Sequence, residues 1–111
     1  MTVKELVEIM GLTVFCGQEN LDREIKGGYT SDLLSDVMGH AREGQVWITL
    51  QTHKNVLAIA SLKELAAILL VKDNQPEPDM LEQAIEEGIP VLGTAEETFE
   101  TTGKVFQQIN K

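Results

Sequence analysis

Five consecutive residues, Gln51-Thr52-His53-Lys54-Asn55, concentrate amide, hydroxyl, imidazole and ammonium groups immediately after a strongly apolar segment. Such a knot can hydrogen-bond a small ligand, and His53 is the one residue in it of a type suited to proton exchange near neutral pH. Gln51, Thr52 and Asn55 can serve a ligand as donors and acceptors, or Thr52 and Asn55 can cap the next helix. A second cluster, Gly27-Gly28-Tyr29-Thr30-Ser31-Asp32, carries two glycines that either form a simple turn or expose backbone N–H groups to an anion. Tyr29 there can stack on a base or pack on the rim, and Ser31 adds a hydroxyl. Thr94, following Gly93, is a third candidate. No partner stands at metal-ligand spacing from His53, and Cys16 has no adjacent His or Lys to activate its thiol. The residues therefore point to binding through hydrogen bonds, with no metal site and no catalytic constellation.

These groups need elements to hold them. Residues 46–71 read as strand, polar loop, helix and second strand, with Trp47 and β-branched neighbours in the first strand and an unbroken apolar run at 66–71. Val3, Leu6, Val7 and Met10 share one helical face, with Thr2 as cap and Gly11 as stop. A short strand is expected at 12–16 and a weak one at 23–26. A helix follows, capped by Thr30 or Ser31 and marked by Leu33, Leu34, Val37, Met38 and Ala41. Asn55 is expected to cap a helix through Glu64 that buries Val56, Ile59, Ala60 and Leu62. Asp79 with Glu82, and Thr94 with Glu97, have capping-box spacing. They would open two last helices around a strand at 89–92, the final helix turning Phe99, Val105 or Phe106, and Ile109 inward. Strands alternating with helices imply right-handed parallel crossovers. The expected fold is a three-layer α/β/α domain with a mostly parallel sheet of about five strands. In such sheets ligands lie beyond the carboxyl ends of the strands, where Gly27–Asp32, Gln51–Asn55, Lys72-Asp73 and Gly93-Thr94 would share one rim.

The bulk properties narrow the class. The chain has 111 residues, 42% of them apolar, enough for one domain with a core. Eighteen acidic against nine basic residues give a net charge of −9, which disfavours nucleic acid because phosphate contacts require Lys/Arg clusters. Beyond Asp73 only Lys104 and Lys111 are basic, so the last two helices carry either a solvated acidic face or a docking surface for a basic partner. No apolar run approaches the roughly 20 residues of a membrane-spanning helix, and the chain reads as cytoplasmic and off the membrane. A lone cysteine allows no internal disulfide.

From Asp22 onward the sequence resembles the DRTGG domain family. The resemblance is carried by GGYTSDLLSDVM, by EGQVWITLQTHKNVLAIASLKELAAILLV, and most specifically by EEGIPVLGTAEETFETTGKV. Similar domains accompany CBS modules and resemble the N-terminal domain of HPr kinase/phosphorylase, which implies that domain's α/β/α fold. The namesake residues differ: Thr52-His53 stand where many members carry Asp-Arg, and Lys72-Asp73-Asn74 where they carry Thr-Gly-Gly. Likeness to a kinase implies no kinase activity here, since phosphoryl transfer needs a phosphate cradle and no GxxxxGK[ST] occurs. The expectation is a non-catalytic regulatory domain binding a small, nucleotide-like ligand at the rim, with no cofactor identified. The alternative is an accessory module of a larger metabolic or redox assembly, docking on a protein partner through its acidic helices. A homodimer is expected, because edge strands of small sheets need cover.

Overall fold

The computed structural model describes all residues, Met1–Lys111. Helix α1 (Val3–Met10) leads into strand β1 (Thr13–Cys16), a 3-10 turn (Gln18–Asn20) and strand β2 (Gly27–Thr30). Then follow α2 (Leu34–His40), β3 (Gln45–Thr49), α3 (Asn55–Leu62), β4 (Ala67–Leu70), α4 (Pro78–Glu87), β5 (Val91–Gly93) and α5 (Thr98–Ile109). The sheet order is β1-β5-β4-β3-β2. β2, β3, β4 and β5 run parallel, whereas β1 joins β5 antiparallel.

Alternation along the central strands divides the core into two. Trp47, Ile68, Leu70 and Val91 point to one face, where they meet Val37 of α2, Val56 and Ile59 of α3, and Met80 and Ala84 of α4. Val46, Ile48, Ala67, Leu69 and Leu92 point to the other, against Val3 and Leu6 of α1 and Val105 of α5. This is the expected α/β/α sandwich, its sheet mixed but mostly parallel.

The ends of α1 are as the sequence predicts. Thr2 Oγ1 accepts from Glu5 N while Glu5 Oε1 accepts from Thr2 N, a reciprocal capping box. Those bonds, the Thr2 backbone first, hold the Glu5 carboxyl below its ordinary range. Gly11 and Gly88 close α1 and α4 in the left-handed conformation.

Several local expectations fail for identifiable reasons. The weak strand lies at Gly27–Thr30, not at 23–26. Gly27 and Gly28 pair there with Gln45 and Val46 of β3, and a Cβ on Gly28 would make only ordinary contact with Val105 Cγ1 at 3.7 Å. Residues 23–26 instead anchor the N-terminus, with Ile25 N donating to Met1 O and the Arg23 guanidinium to Leu65 O. The caps of α2, α3, α4 and α5 are Leu33, Lys54, Glu77 and Glu97, none making a side-chain cap bond. Neither Thr30 nor Ser31 caps α2, and Asn55 begins α3 without capping it. Pro78, whose fixed φ suits the first helical position, starts α4 before Asp79. Thr94 instead closes a turn, its Oγ1 accepting from Glu96 N. On α5 Val105 is buried, but Phe99 is 84% and Phe106 67% exposed.

Candidate functional site

The parallel strands β2 to β5 bring their carboxyl ends to one rim, with β1 reversed beside β5. The rim has three parts, which differ in how far their polar groups are already engaged.

At the β2–β3 end the side chains form a closed knot. Asp32 Oδ1 accepts from Thr49 Oγ1 at 2.8 Å and from Leu50 N at 2.7 Å. Gln51 Nε2 donates to Asp32 O at 2.8 Å, and Gln51 N donates to Thr49 Oγ1. Ser31 takes part twice: its Oγ accepts from Leu33 N, and its carbonyl accepts from Trp47 Nε1 at 2.8 Å. Thr49 and Trp47 are fully buried, so these bonds satisfy groups that would otherwise be orphaned. Just below, the Tyr29 hydroxyl donates to Asp36 Oδ2 at 2.9 Å. That bond is the main reason the Asp36 carboxyl lies below its ordinary range and the Tyr29 phenol above its own; Ser31 and His40 assist on the Asp36 side.

Next along the rim, the start of the Gln51–Asn55 loop is clasped to the entry of α4. Glu77 N donates to Thr52 O at 3.0 Å, and Thr52 Oγ1 donates to Glu77 Oε2. The same Oε2 lies 2.9 Å from His53 Nδ1. His53 is exposed and Asn55 points to solvent from the first turn of α3.

At the β4–β5 end the rim is open. A cleft of about 440 Å³ lies between the end of β5, the β4–α4 connection and β1, lined among others by Phe15, Asp73, Asn74, Gln75, Thr94 and Glu96. Its floor is Gly93, where a Cβ would meet the Phe15 ring at 2.5 Å. One wall is a turn in which Lys72 (φ 59°) and Asp73 (φ 63°) are both left-handed. For residues with a Cβ that conformation costs about 1–2 kcal/mol each. It persists because Lys72 N donates to Glu96 O at 2.8 Å and Asp73 N to Thr94 O at 2.9 Å. Those bonds lace the connection to the β5–α5 turn and hold the cleft's two walls together. Lys104 Nζ also reaches Glu96 Oε1 at 2.6 Å.

The nine sequence candidates thus do not form one cluster. Gly27, Gly28 and Tyr29 lie within edge strand β2, so the Gly-Gly pair is neither a turn nor a helix-entry nest. Ser31 and Gln51 belong to the knot, Thr52 and His53 to the Glu77 clasp, and Asn55 to the exposed start of α3. Only Thr94 lines the open cleft. Phe15, Asn74, Gln75 and Glu96, which line it too, escape sequence reading. Phe15 arrives there because β1 is antiparallel, a reversal no sequence pattern announces; Lys72-Asp73, at the end of an apolar strand, was the available signal. Cys16 is buried with its Sγ toward Ile89 O, and burial pushes the thiol up. No three His, Cys, Asp or Glu side chains converge as a metal set would.

A mostly parallel sheet covered by helices on both faces, with an open cleft at its carboxyl rim, defines an α/β/α domain. The chain belongs to the DRTGG domain family, whose model matches residues 5–108. Among solved structures it is similar to the CBS and DRTGG domains of the regulatory region of Clostridium perfringens pyrophosphatase, complexed with the activator diadenosine tetraphosphate. The TM-score is 0.73 at 13% identity, covering 97% of this chain and 46% of that one. This chain therefore spans about half the length of that solved chain. No curated protein matches it.

Proposed function

We propose that this chain is a non-catalytic regulatory domain that binds a small, nucleotide-like ligand at the carboxyl-end rim of its sheet. Family membership supports the regulatory reading, because the similar pyrophosphatase region is regulatory and was crystallised with a nucleotide activator. The observation that carries the location is the cleft at the β4–β5 end. It combines volume, an aromatic surface in Phe15 and hydrogen-bonding groups in Asn74, Gln75 and Thr94. Asp73 and Glu96 line it and no Lys or Arg does. Two carboxylates repel phosphate, so the cleft suits the uncharged nucleoside end, with any phosphates turned outward past exposed Lys72. Asn55 and the outer edge of His53 border the same rim and can meet a ligand that extends along it.

Thermal-shift measurements with adenosine, adenine mononucleotides and diadenosine tetraphosphate test this. A ligand at 100 times its dissociation constant adds about 2.7 kcal/mol, which raises the melting temperature by roughly 10 °C for a domain this size. Phe15→Ala should abolish the shift. A flat response to every nucleoside and nucleotide of the panel would sink the proposal.

A further inference from the structure

The β4–β5 cleft is unbalanced in its hydrogen-bonding groups. Asp73 lines it with a carboxylate that has no partner in the chain, and an ionised carboxylate only accepts. Asn74 donates its Nδ2 to Val71 O at 2.8 Å, which leaves its Oδ1 free. Glu96 Oε1 takes Lys104 Nζ, so its second oxygen is still open. Against these acceptors the side chains set two groups that can donate. One is the Thr94 hydroxyl, whose oxygen already accepts from Glu96 N; the other is the Gln75 amide. No Lys or Arg lines the cleft.

The main acceptor is also fixed in place. Asp73 N donates to Thr94 O at 2.9 Å and Lys72 N to Glu96 O at 2.8 Å, and both residues are held left-handed. The backbone that carries the Asp73 carboxylate is therefore ordered before any ligand arrives, and that ordering is not charged against binding. Phe15 supplies a ring on which a base can stack.

Acceptors call for donors. Resting on the nucleoside reading of this cleft, we infer that the base it selects is guanine, read by Asp73. Guanine carries N1–H and the N2 amine side by side on one edge, a pair of donors that meets both oxygens of a carboxylate as a guanidinium does. Adenine presents an acceptor, N1, at the corresponding position, and two acceptors facing each other leave both unpaired. Its N6 amine is the only donor group on that edge. Adenosine thus enters the same cleft by stacking and a single donor group, and binds more weakly.

Calorimetric titration of the full chain with the mononucleotides of guanine, adenine and hypoxanthine, which differ only in the base, tests the inference. The guanine nucleotide is expected to bind roughly tenfold tighter than the adenine one, the discrimination of a bidentate contact to one base edge. Hypoxanthine, which keeps N1–H and lacks the N2 amine, should fall between them. Asp73→Asn keeps a residue type that tolerates the left-handed conformation and replaces one acceptor oxygen with a donor. It should bring the guanine nucleotide down to the affinity of the adenine one, while adenine binding holds or improves. Equal affinities in the wild type would overturn the guanine preference and leave the nucleoside reading standing. A preference that survives Asp73→Asn would overturn the role given to Asp73. Binding of none of the three would sink the nucleoside reading itself, and this inference with it.

Discussion

The two ends of the rim are built from similar residue types and behave oppositely. At the β2–β3 end, Asp32, Thr49 and Gln51 bond to one another and to backbone groups. At the β4–β5 end, Asp73, Gln75 and Thr94 line open space, and the backbone beside them is held left-handed at Lys72 and Asp73. Polar density in a sequence therefore does not by itself mark a site. What matters is whether the fold has already given those groups partners. One end is a structural lock joining β2 to β3; the other keeps volume, the unbonded side chains of Asp73 and Gln75, and strain.

The largest expected effect is on the lock. Asp32→Ala leaves buried Thr49 Oγ1 and Leu50 N without an acceptor, and losing a charge-assisted acceptor costs about 2–3 kcal/mol. Chemical denaturation should show that loss while ligand binding at the far cleft persists. If binding collapses with it, the two ends are not separate. Changes at the strained turn should have the opposite sign. Lys72→Gly or Asp73→Gly relieves the left-handed penalty, and after the glycine's extra unfolded-state entropy the net gain is about 0.5–1 kcal/mol. A loss of stability there would show that the strain is not stored as described.

His53→Ala tests the clasp between them. Its contact with Glu77 is solvent-exposed, and such pairs contribute about 0–1 kcal/mol, so the melting temperature should hardly move. A large drop would make the clasp a second lock. The smallest difference concerns acid. The depressed carboxyls of Asp36 and Glu5 contribute stability above their unfolded pKa values that is lost as pH falls through the folded ones. Tyr29→Phe removes the main cause at Asp36. Its stability deficit should be present at neutral pH and vanish as Asp36 protonates, followed by urea midpoints against pH.

Much of the fold was legible in the sequence because burial enforces periodicity. The apolar run ending at Val71, the Trp47 strand and the Thr2 and Gly11 ends of α1 are all visible as patterns and occur as expected. What was illegible depended on tertiary neighbours. Gly27-Gly28 has the composition of a turn, but it is a strand because it pairs in register with Gln45 and Val46 of β3. Phe99 and Phe106 read as core because periodicity records apolar spacing, not what covers it. The site was legible only as a rim. Gln51, Thr52 and Ser31 stood out by type, yet their partners Asp32, Glu77 and Trp47 lie 19, 25 and 16 residues away. The cleft needed the reversal of β1, which carries Phe15 to Thr94 and leaves no mark in local composition.

The central claim is that the open end of the rim, and not the polar knot, takes the ligand. Backbone amide chemical shifts of isotope-labelled protein, titrated in parallel with adenosine and diadenosine tetraphosphate, test it most directly. The account predicts saturable shifts clustered at Phe15, Asp73–Gln75 and Gly93–Glu96, with Asp32 to Gln51 unmoved. Shifts confined to Ser31–Asn55, or none with either compound, would contradict it.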